Sequence, residues 1–342
     1  MMQLKIGHIS EGIAGHDGQA LGVIKSLSDS GIDLNVIPIN VAWKLHSLRS
    51  VLRFFSRKLS KYPNSFTTKL ILCCYKFSKP DAIDIFISSG ANLAPLNLSL
   101  AKIYGSKNIH LSSVRDWSVA DFTAYITTKK ISSLKNNLSP DIVPNLFDPD
   151  KCEKAGKDFL FQNQLQNKSF ALLVMGGDGI GYSYKREEWQ AMIKNFAEYC
   201  ALNNSLPLFI TSRRTPKEIE EEINQNYDTS FSVLFHSEQK RGSFSHLLYI
   251  AEHIFVTEDS STMLSEVISS GKKAISIYPA NIAAPIKYKE IIEKYENLRF
   301  IERCNIGEIH ISQHNQEKNI KDRVSVSLKE FNDSLLELLS KK

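Results

Sequence analysis

The segment Glu11–Gln19 carries two titratable side chains in a glycine-rich stretch just after a predicted strand. His16 and Asp17 could each accept a proton from a hydroxyl group, and histidine needs the smaller change in pKa to do so near neutral pH. The surrounding glycines would let the backbone approach a ligand closely. We therefore predict that one of these two residues is a catalytic base. The alternative is a turn with a capping aspartate and an exposed histidine.

A second glycine-rich loop, residues 175–184, follows a strongly apolar segment and holds four glycines within six residues. We expect Gly176 and Gly177 to lie close to a pyrophosphate or a sugar, although a purely structural loop is the alternative. Tyr182 stands where a phosphate-binding loop of an ATPase or GTPase would have lysine, which disfavours that class. Neither glycine-rich segment has the G-x-G-x-x-G spacing of a dinucleotide site.

The third segment, residues 211–216, puts a hydroxyl and two guanidinium groups at the end of a predicted strand. Because arginine forks match phosphate oxygens, Ser212, Arg213 and Arg214 predict a phosphate site. The alternative is that one arginine pairs with Glu218 or Glu220 in the helix that follows.

The fourth segment, residues 256–266, runs from a predicted strand through a turn of small residues into a short helix. Ser260, Ser261 and Thr262 would place hydroxyl and N–H groups at the start of that helix, where a phosphate binds readily. Glu266 falls too late for a capping box, which needs glutamate three residues after the cap. We predict that Glu266 accepts hydrogen bonds from the two hydroxyls of a ribose.

A basic belt occupies residues 34–80, which contain no Asp or Glu and nine Lys or Arg interleaved with aromatic and aliphatic residues. The apolar residues around positions 49–61 recur at helical spacing, which suits a helix lying in an anionic bilayer interface. The alternatives are a core-facing helix with a solvated basic face and a nucleic-acid surface. The predicted membrane-contact residues are Arg49, Arg53, Arg57, Lys58 and Lys61.

Strand-like and helix-like segments alternate along the chain, which predicts an α/β fold with parallel sheets. The first helix is expected from about Gln19, and a further strand at 232–235. The polar segment 148–168 divides the chain into two predicted Rossmann-like domains, residues 1–150 and 151–342. Helical spacing over 322–339 predicts a last helix that packs back across the domain junction.

The composition is that of an ordinary globular protein of 342 residues, with 42% apolar residues, 23% charged residues and a net charge of +5. The five cysteines have no zinc-binding spacing, and their scattered distribution fits a reducing compartment. We expect no signal peptide, no transmembrane helix, no metal site and no cofactor.

Taken in order, these segments resemble the elongated-mitochondria fission-factor family, many of whose bacterial members are regarded as glycosyltransferases. The family's Gly-His-Glu-Asn-Gln-Ala-Leu-Gly is similar to residues 15–22, where Gly18 replaces asparagine. Its Thr-Ser-Arg-Arg-Thr-Pro stands intact at 211–216, and its Val-Thr-x-Asp-Ser-x-x-Met-x-Ser-Glu at 256–266. Its Gly-Gly loop resembles residues 176–177, and its strand-end glycine resembles Gly90.

The resemblance implies the GT-B fold, with two Rossmann-like domains facing across a cleft. It further implies that the C-terminal half binds a nucleotide sugar and the N-terminal half an acceptor at a membrane. His16 would be the base and Glu266 would hold the ribose, so transfer would proceed with inversion and without a metal. The acceptor-side residues implied by the family's segments are Gly15, Gln19, Ser89 and Gly90.

The expected protein is thus a bacterial glycosyltransferase at the inner face of the cytoplasmic membrane, with a lipid-linked or lipopolysaccharide-type acceptor and no nucleic-acid partner. Two other functions remain open on the same fold. One is a non-catalytic scaffold at a membrane surface, which would have no need of Arg213, Arg214 or Glu266. The other is a nucleotide-sugar 2-epimerase, which would consume donor without any acceptor.

Overall fold

The computed structural model describes residues 3–62, 64–112, 117–237, 243–311 and 319–341. The chain divides into two compact units. The first comprises residues 1–146 and 326–342, and the second comprises residues 147–325. The last seventeen residues therefore belong to the first unit. The domain range predicted from the sequence, 151–342, assigns them to the second unit.

The first unit contains a six-stranded parallel sheet in the order β2-β1-β5-β6-β7-β8, together with a small antiparallel pair, β3 and β4. Its strands are β1 (Leu4–Ser10), β2 (Leu34–Asn40), β3 (Ala42–Trp43), β4 (Tyr75–Lys76), β5 (Ile85–Ser89), β6 (Lys107–Leu111), β7 (Ala124–Ile126) and β8 (Asn137–Leu138). Its helices are α1 (Ala14–Asp29), α2 (Arg49–Leu59), α3 (Ser65–Cys73) and α4 (Ala94–Tyr104), with short 3-10 turns at His46–Leu48 and Val119–Asp121.

The second unit contains a five-stranded parallel sheet in the order β10-β9-β11-β12-β13. Its strands are β9 (Phe170–Val174), β10 (Leu206–Ile210), β11 (His253–Thr257), β12 (Ala274–Tyr278) and β13 (Ile301–Asn305). Its helices are α5 (Pro149–Gln162), α6 (Arg186–Leu202), α7 (Lys217–Asn226), α8 (Phe244–Ile250), α9 (Ser261–Ser269) and α10 (Ile286–Asn297), with a 3-10 turn at Ile306–Ile311. The strand predicted at 232–235 is reduced to one isolated bridge between Ile210 and Val233.

The sheets bury both faces, because β5 and β9 are solvent-excluded along their length, and β9 is apolar throughout. In the first unit, Val23 and Leu27 of α1 pack on Ile6 and Ile87 of the sheet. The last helix, α11 (Ile320–Ser340), starts in the second unit and adds Phe331, Leu335 and Leu338 to this same core. None of the helices in the described part of the chain has the length and apolar composition to span a membrane.

Candidate functional site

His16 lies in the first turn of α1, since the helix begins at Ala14 and not near Gln19 as predicted. The N–H of Asp17 donates to the carbonyl of Ile13 at 2.9 Å, which closes the first α-helical turn. Three glycines lower the helix propensity of this segment. Packing of the apolar face of α1 on the sheet outweighs that cost, and the helix extends into the glycine-rich segment.

His16 lines a pocket of about 500 Å³ in the first unit, at the carboxyl ends of β5 and β6. Three of the four predicted acceptor-side residues line it as well, namely Gln19, Ser89 and Gly90. The Ser89 hydroxyl donates to Gln19 Oε1 at 3.0 Å and so ties α1 to the end of β5. The fourth, Gly15, lies in α1 but does not line this pocket. The remaining lining residues are Arg53, Arg57, Ala91, Asn92, Leu111 and Ser112.

Glu11, which sequence reasoning missed as a functional residue, fixes the imidazole of His16. His16 Nδ1 lies 3.2 Å from Glu11 Oε1, and the Asn92 amide donates to Glu11 Oε2 at 3.0 Å. Burial alone would raise the pKa of the Glu11 carboxyl, but hydrogen bonds from His16 and Asn92 and the charge of Arg53 hold it below its usual value. An ionised Glu11 can only accept, so Nδ1 carries the hydrogen and Nε2 carries the lone pair that a base needs.

Gly90 directly follows β5 and has a backbone conformation that favours glycine, with φ of +92°. A Cβ atom at this position would lie 2.4 Å from Nδ1 of His16. A side chain at position 90 would therefore clash with the imidazole of His16. This clash is a physical reason for a glycine at this position.

Asp17, the other predicted base, does not line the pocket. Its carboxylate lies 3.8 Å from Nε2 of His8, a buried residue of β1. Burial lowers the pKa of His8 against the raising effect of Asp17. Neighbouring residues of a helix point about 100° apart, and here the Asp17 carboxylate lies beside His8, outside the pocket. His16 is therefore the better placed of the two.

Helix α2 divides the predicted membrane-contact residues between two faces. Leu52 and Leu59 pack into the core, which anchors the helix. Arg53 and Arg57 line the pocket beside His16, and Arg53 is also exposed to solvent. The other three predicted residues, Arg49, Lys58 and Lys61, do not line the pocket.

The outward face of α2 exposes large apolar side chains. Phe54 is 60% and Phe55 is 57% exposed, and Val51 is exposed beside them. Lys58 Nζ lies 5.6 Å from the ring centroid of Phe54. The alternative predicted from the sequence is a helix with one face in the core and one solvated basic face. That alternative does not account for the exposed apolar side chains of α2.

Three loops meet at the carboxyl edge of the second sheet and are bonded to one another. The Arg214 guanidinium lies 2.6 Å from Oδ2 of the fully buried Asp259, and the Gly177 N–H donates to the same oxygen at 3.2 Å. The Gly176 N–H donates to the Thr257 hydroxyl at 2.7 Å. These backbone donors already have protein acceptors and are not available to a ligand.

Gly176 is required by packing, because a Cβ atom there would lie 2.3 Å from Oδ2 of Asp259. Ser212 is also engaged, since its hydroxyl donates to the Gly176 carbonyl at 2.8 Å. The ion pair of Arg214 is therefore made with Asp259 and not with Glu218 or Glu220. Glu220 instead accepts from the Thr211 hydroxyl at 2.6 Å.

Arg213 differs from its neighbour because its side chain is exposed. No ion pair or hydrogen bond of its guanidinium occurs within the described residues. Of the two arginines predicted to bind phosphate, Arg213 is the one with no ion-pair partner in the part of the chain that the structure describes.

Helix α9 follows the loop after β11, and Ser260 is its N-cap, accepting from the Met263 N–H at 3.4 Å. Ser261 and Thr262 are partly exposed in the first turn. Because an α-helix leaves its first N–H groups unbonded, this end can receive an anion.

Glu266, in the second turn of α9, is a partly buried carboxyl without a partner in the described part of the chain. Burial raises its pKa from 4.5 to about 7, and no neighbouring cation offsets the effect. A desolvated carboxyl without a donor is costly, and a ligand with hydroxyl groups would supply donors.

A second buried carboxyl beside this edge is fully paired and was missed by sequence reasoning. Glu258 accepts two hydrogen bonds from the Arg303 guanidinium, both at 2.8 Å, and one from the Tyr182 hydroxyl at 2.6 Å. The Ser276 hydroxyl donates to it as well, at 3.0 Å. Glu258 thus holds β11, β12 and β13 to the loop after β9, which is a structural role.

No cluster of His, Cys, Asp or Glu within the described ranges has the geometry of a metal site. All five cysteines are free thiols.

Comparison with known proteins gives one family and a set of structures with the same fold. The profile of the family described as "Mitochondrial fission ELM1" matches residues 14–303. The uncharacterized protein RP120 of Rickettsia prowazekii is 30% identical over 132 residues. That match covers 37% of this chain and little more than a third, 36%, of the relative.

Two solved structures align over nearly the whole chain. UDP-GlcNAc 2-epimerase from Methanocaldococcus jannaschii is 13% identical with a TM-score of 0.51, over 95% of this chain and 99% of that one. A protein from Listeria monocytogenes described as a UDP-N-acetylglucosamine 2-epimerase is 9% identical with a TM-score of 0.50, over 100% and 92% of the two chains. Since the profile spans most of the sequence, the protein belongs to the mitochondrial fission ELM1 family, and its fold is GT-B.

Proposed function

We propose that this protein is a glycosyltransferase that moves a sugar from a nucleotide donor to an acceptor at a membrane surface. The observation that carries the proposal is Glu266, a partly buried carboxyl with a raised pKa and no partner among the described residues. Perturbed carboxyls of this kind are frequent at ligand sites. The GT-B fold supports the proposal, because its solved relatives include enzymes named for a UDP-sugar.

The second unit would hold the nucleotide. Glu266 would accept hydrogen bonds from the two ribose hydroxyls, while Arg213 and the first turn of α9 would receive the phosphates. Arg214 would act indirectly, because its ion pair with Asp259 fixes the loop that carries Arg213. Gly176, Gly177 and Ser212 would shape the same edge without donating to the ligand.

The first unit would hold the acceptor and the base. As the acceptor oxygen attacks the anomeric carbon, His16 Nε2 takes the hydroxyl proton, and the bond between that carbon and the nucleotide phosphate breaks. The products are the glycoside, the nucleotide and a protonated His16, which Glu11 stabilises at 3.2 Å. Arg213 and the α9 N–H groups would neutralise the charge of the departing phosphate in place of a metal ion. A single direct displacement at the anomeric carbon would invert its configuration.

The outward face of α2 would contact the membrane, with Phe54 and Phe55 entering the interface and Lys58 beside them. The surrounding belt of nine cations without an acid favours an anionic surface. A lipid-linked acceptor of surface polysaccharide or lipopolysaccharide synthesis, met at the inner face of a bacterial cytoplasmic membrane, is the partner that fits such a surface.

A thermal-shift screen against UDP, GDP, CMP and dTDP tests the donor site. Binding to the folded state raises stability by roughly 2.7 kcal/mol at a hundredfold excess over Kd. We expect one nucleotide to raise the melting temperature, and we expect Glu266→Ala to abolish that shift. Glu293→Ala, an exposed glutamate in α10 of the same unit, is the matched control and should keep it. No shift with any nucleotide would contradict the proposal and favour the scaffold function.

A transfer assay then separates the two possible reactions. We expect consumption of the nucleotide sugar to require added acceptor. Consumption without acceptor, yielding a nucleotide sugar of changed configuration, would identify an epimerase instead.

Vesicle co-sedimentation tests the membrane surface. We expect binding to vesicles containing phosphatidylglycerol, but not to pure phosphatidylcholine, with loss of binding when Phe54 and Phe55 are both changed to serine. Phe161→Ser removes a phenylalanine that is 76% exposed on α5 of the second unit, and it should bind as the wild type does. Equal binding by all three proteins would contradict the assignment of this face.

A further inference from the structure

The pocket beside His16 is lined by two arginines among the residues that the structure describes. Arg53 and Arg57 line it, and no aspartate or glutamate does. Glu11 contacts His16 and accepts from the Asn92 amide, and its carboxylate also interacts with the charge of Arg53. Two guanidinium groups therefore face one concave site that has no carboxylate among its described lining residues, an arrangement that suits an anion.

We propose that this pocket is a binding site for a phosphate or pyrophosphate group carried by the acceptor. The proposal rests on the function proposed above, because it names the chemical class of the acceptor that His16 would deprotonate. It reassigns Arg53 and Arg57 from the membrane surface to substrate recognition.

The spacing of the two arginines suits one phosphate group. Residues four apart on a helix lie on the same face, with Cβ atoms about 6 Å apart. Each guanidinium is a planar fork that matches two phosphate oxygens. The Arg57 Nη2 group also donates to Asn92 Oδ1 at 3.4 Å, which orients this side chain along the rim of the pocket.

The position of α2 is fixed well enough to present these arginines. Leu52 and Leu59 anchor the helix in the core, and the buried Ser56 lies within hydrogen-bond distance of the Tyr75 hydroxyl at 3.5 Å. The same Tyr75 hydroxyl donates to the carbonyl of Asn92 at 2.6 Å, so helix and pocket rim share one support.

The neighbouring outward face of α2 indicates what the phosphate is attached to. Phe54 and Phe55 are exposed on that face, adjacent to the side on which Arg53 and Arg57 lie. A phosphate joined to an apolar chain could place its charge in the pocket while the chain stays against the phenylalanines.

Protection of His16 from diethyl pyrocarbonate tests the site in the full-length protein. The reagent modifies accessible imidazoles, and His16 is 37% exposed at its side chain. Inorganic pyrophosphate is the probe, and mass spectrometry of the peptide from Ile6 to Lys25 reads the result. The buried His8 lies in the same peptide and serves as an internal control.

We expect pyrophosphate to slow modification of His16 at least fivefold in the wild type and in Arg49→Gln, which removes a charge from the same helix outside the pocket. The double variant Arg53→Gln/Arg57→Gln should lose the protection, and Arg53→Gln alone should reduce it. Since Arg53 is exposed, the single variant remains informative if the double variant folds poorly. Equal protection in wild type and Arg53→Gln would overturn the proposal, as would no protection in the wild type.

A second arm distinguishes a soluble phosphate from a lipid headgroup. Vesicles of phosphatidylcholine with phosphatidic acid should protect His16 more than pure phosphatidylcholine, and this difference should vanish in Arg53→Gln. Nucleotide binding to the second unit is measured separately in the same variants. A nucleotide shift with no dependence of protection on the arginines would defeat only the phosphate site. Arginine-dependent protection without any nucleotide shift would defeat only the transferase function.

Discussion

Replacing Glu266 by glutamine should make the second unit more stable at neutral pH while removing its proposed ligand contact. The carboxyl has no partner in the described residues, and burial raises its pKa from 4.5 to about 7. Such a group favours the folded state below the unfolded pKa, and that advantage is lost as pH rises through the folded pKa. A rise from 4.5 to about 7 corresponds to about 3 kcal/mol at about 1.4 kcal/mol for each pKa unit.

Because water reaches part of the side chain, we expect about 2 kcal/mol in practice. Glutamine resembles the protonated acid, so Glu266→Gln and the wild type should be equally stable near pH 4.5. Relative to the wild type, the variant should become progressively more stable as the pH rises from 4.5 to 7. At pH 8 its free energy of unfolding should exceed that of the wild type by about 2 kcal/mol.

Urea unfolding followed by fluorescence measures this difference. Trp189 is buried in α6 of the second unit, and the two other tryptophans, Trp43 and Trp117, belong to the first. In a protein with Trp43 and Trp117 both replaced by phenylalanine, tryptophan fluorescence therefore reports on the unfolding of the second unit alone. Glu293→Gln is the exposed control and should track the wild type at every pH. A difference between Glu266→Gln and wild type that is the same at pH 5 and pH 8 would refute the reasoning.

Three further outcomes follow from the same geometry. The nucleotide should bind about tenfold more weakly at pH 6 than at pH 8, because Glu266, with a pKa of about 7, must lose its proton to accept hydrogen bonds from the ribose. Titration calorimetry measures this pH dependence, which should be absent in Glu266→Gln. Gly90→Ala should lower transfer more than tenfold without weakening nucleotide binding, because the new Cβ displaces His16; unchanged turnover would count against His16 as the base. Arg214→Met should destabilise the second unit by about 3–5 kcal/mol in urea unfolding, because Asp259 would remain buried without its partner; a loss under 1 kcal/mol would show that the pair is not needed.

The sequence was enough to predict that the candidate sites lie at the carboxyl edges of the two sheets. Glycine-rich and hydroxyl-rich segments that follow apolar strands can be recognised without coordinates. It also predicted α2 close to its observed bounds from helical spacing, and the start of α9 from the small residues before it. The start of α1 was wrong by several residues, since the glycine content lowered the expected propensity and the packing that outweighs it involves distant strands.

The partners of the charged residues could not be predicted from one sequence. Arg214 pairs with Asp259, forty-five positions further along the chain, and Glu258 pairs with Arg303 at the same separation. Such pairs depend on which strands become neighbours in the sheet. In the same way, the basic belt indicated a surface helix. Only the structure shows that Arg53 and Arg57 line the pocket, whereas Phe54 and Phe55 lie on the outward face of α2.

The most direct test of the proposed nucleotide site compares a nucleotide with its 2′,3′-dideoxy analogue on wild type and Glu266→Ala by titration calorimetry, using the nucleotide that gives the largest thermal shift. Hydrogen bonds to a charged group contribute about 1.5–3 kcal/mol each. We predict that the wild type binds the dideoxy analogue at least tenfold more weakly, whereas Glu266→Ala binds both ligands equally and weakly. Equal discrimination by the two proteins would contradict the assignment of Glu266 to the ribose and, with it, the account of the second unit as a nucleotide-sugar site.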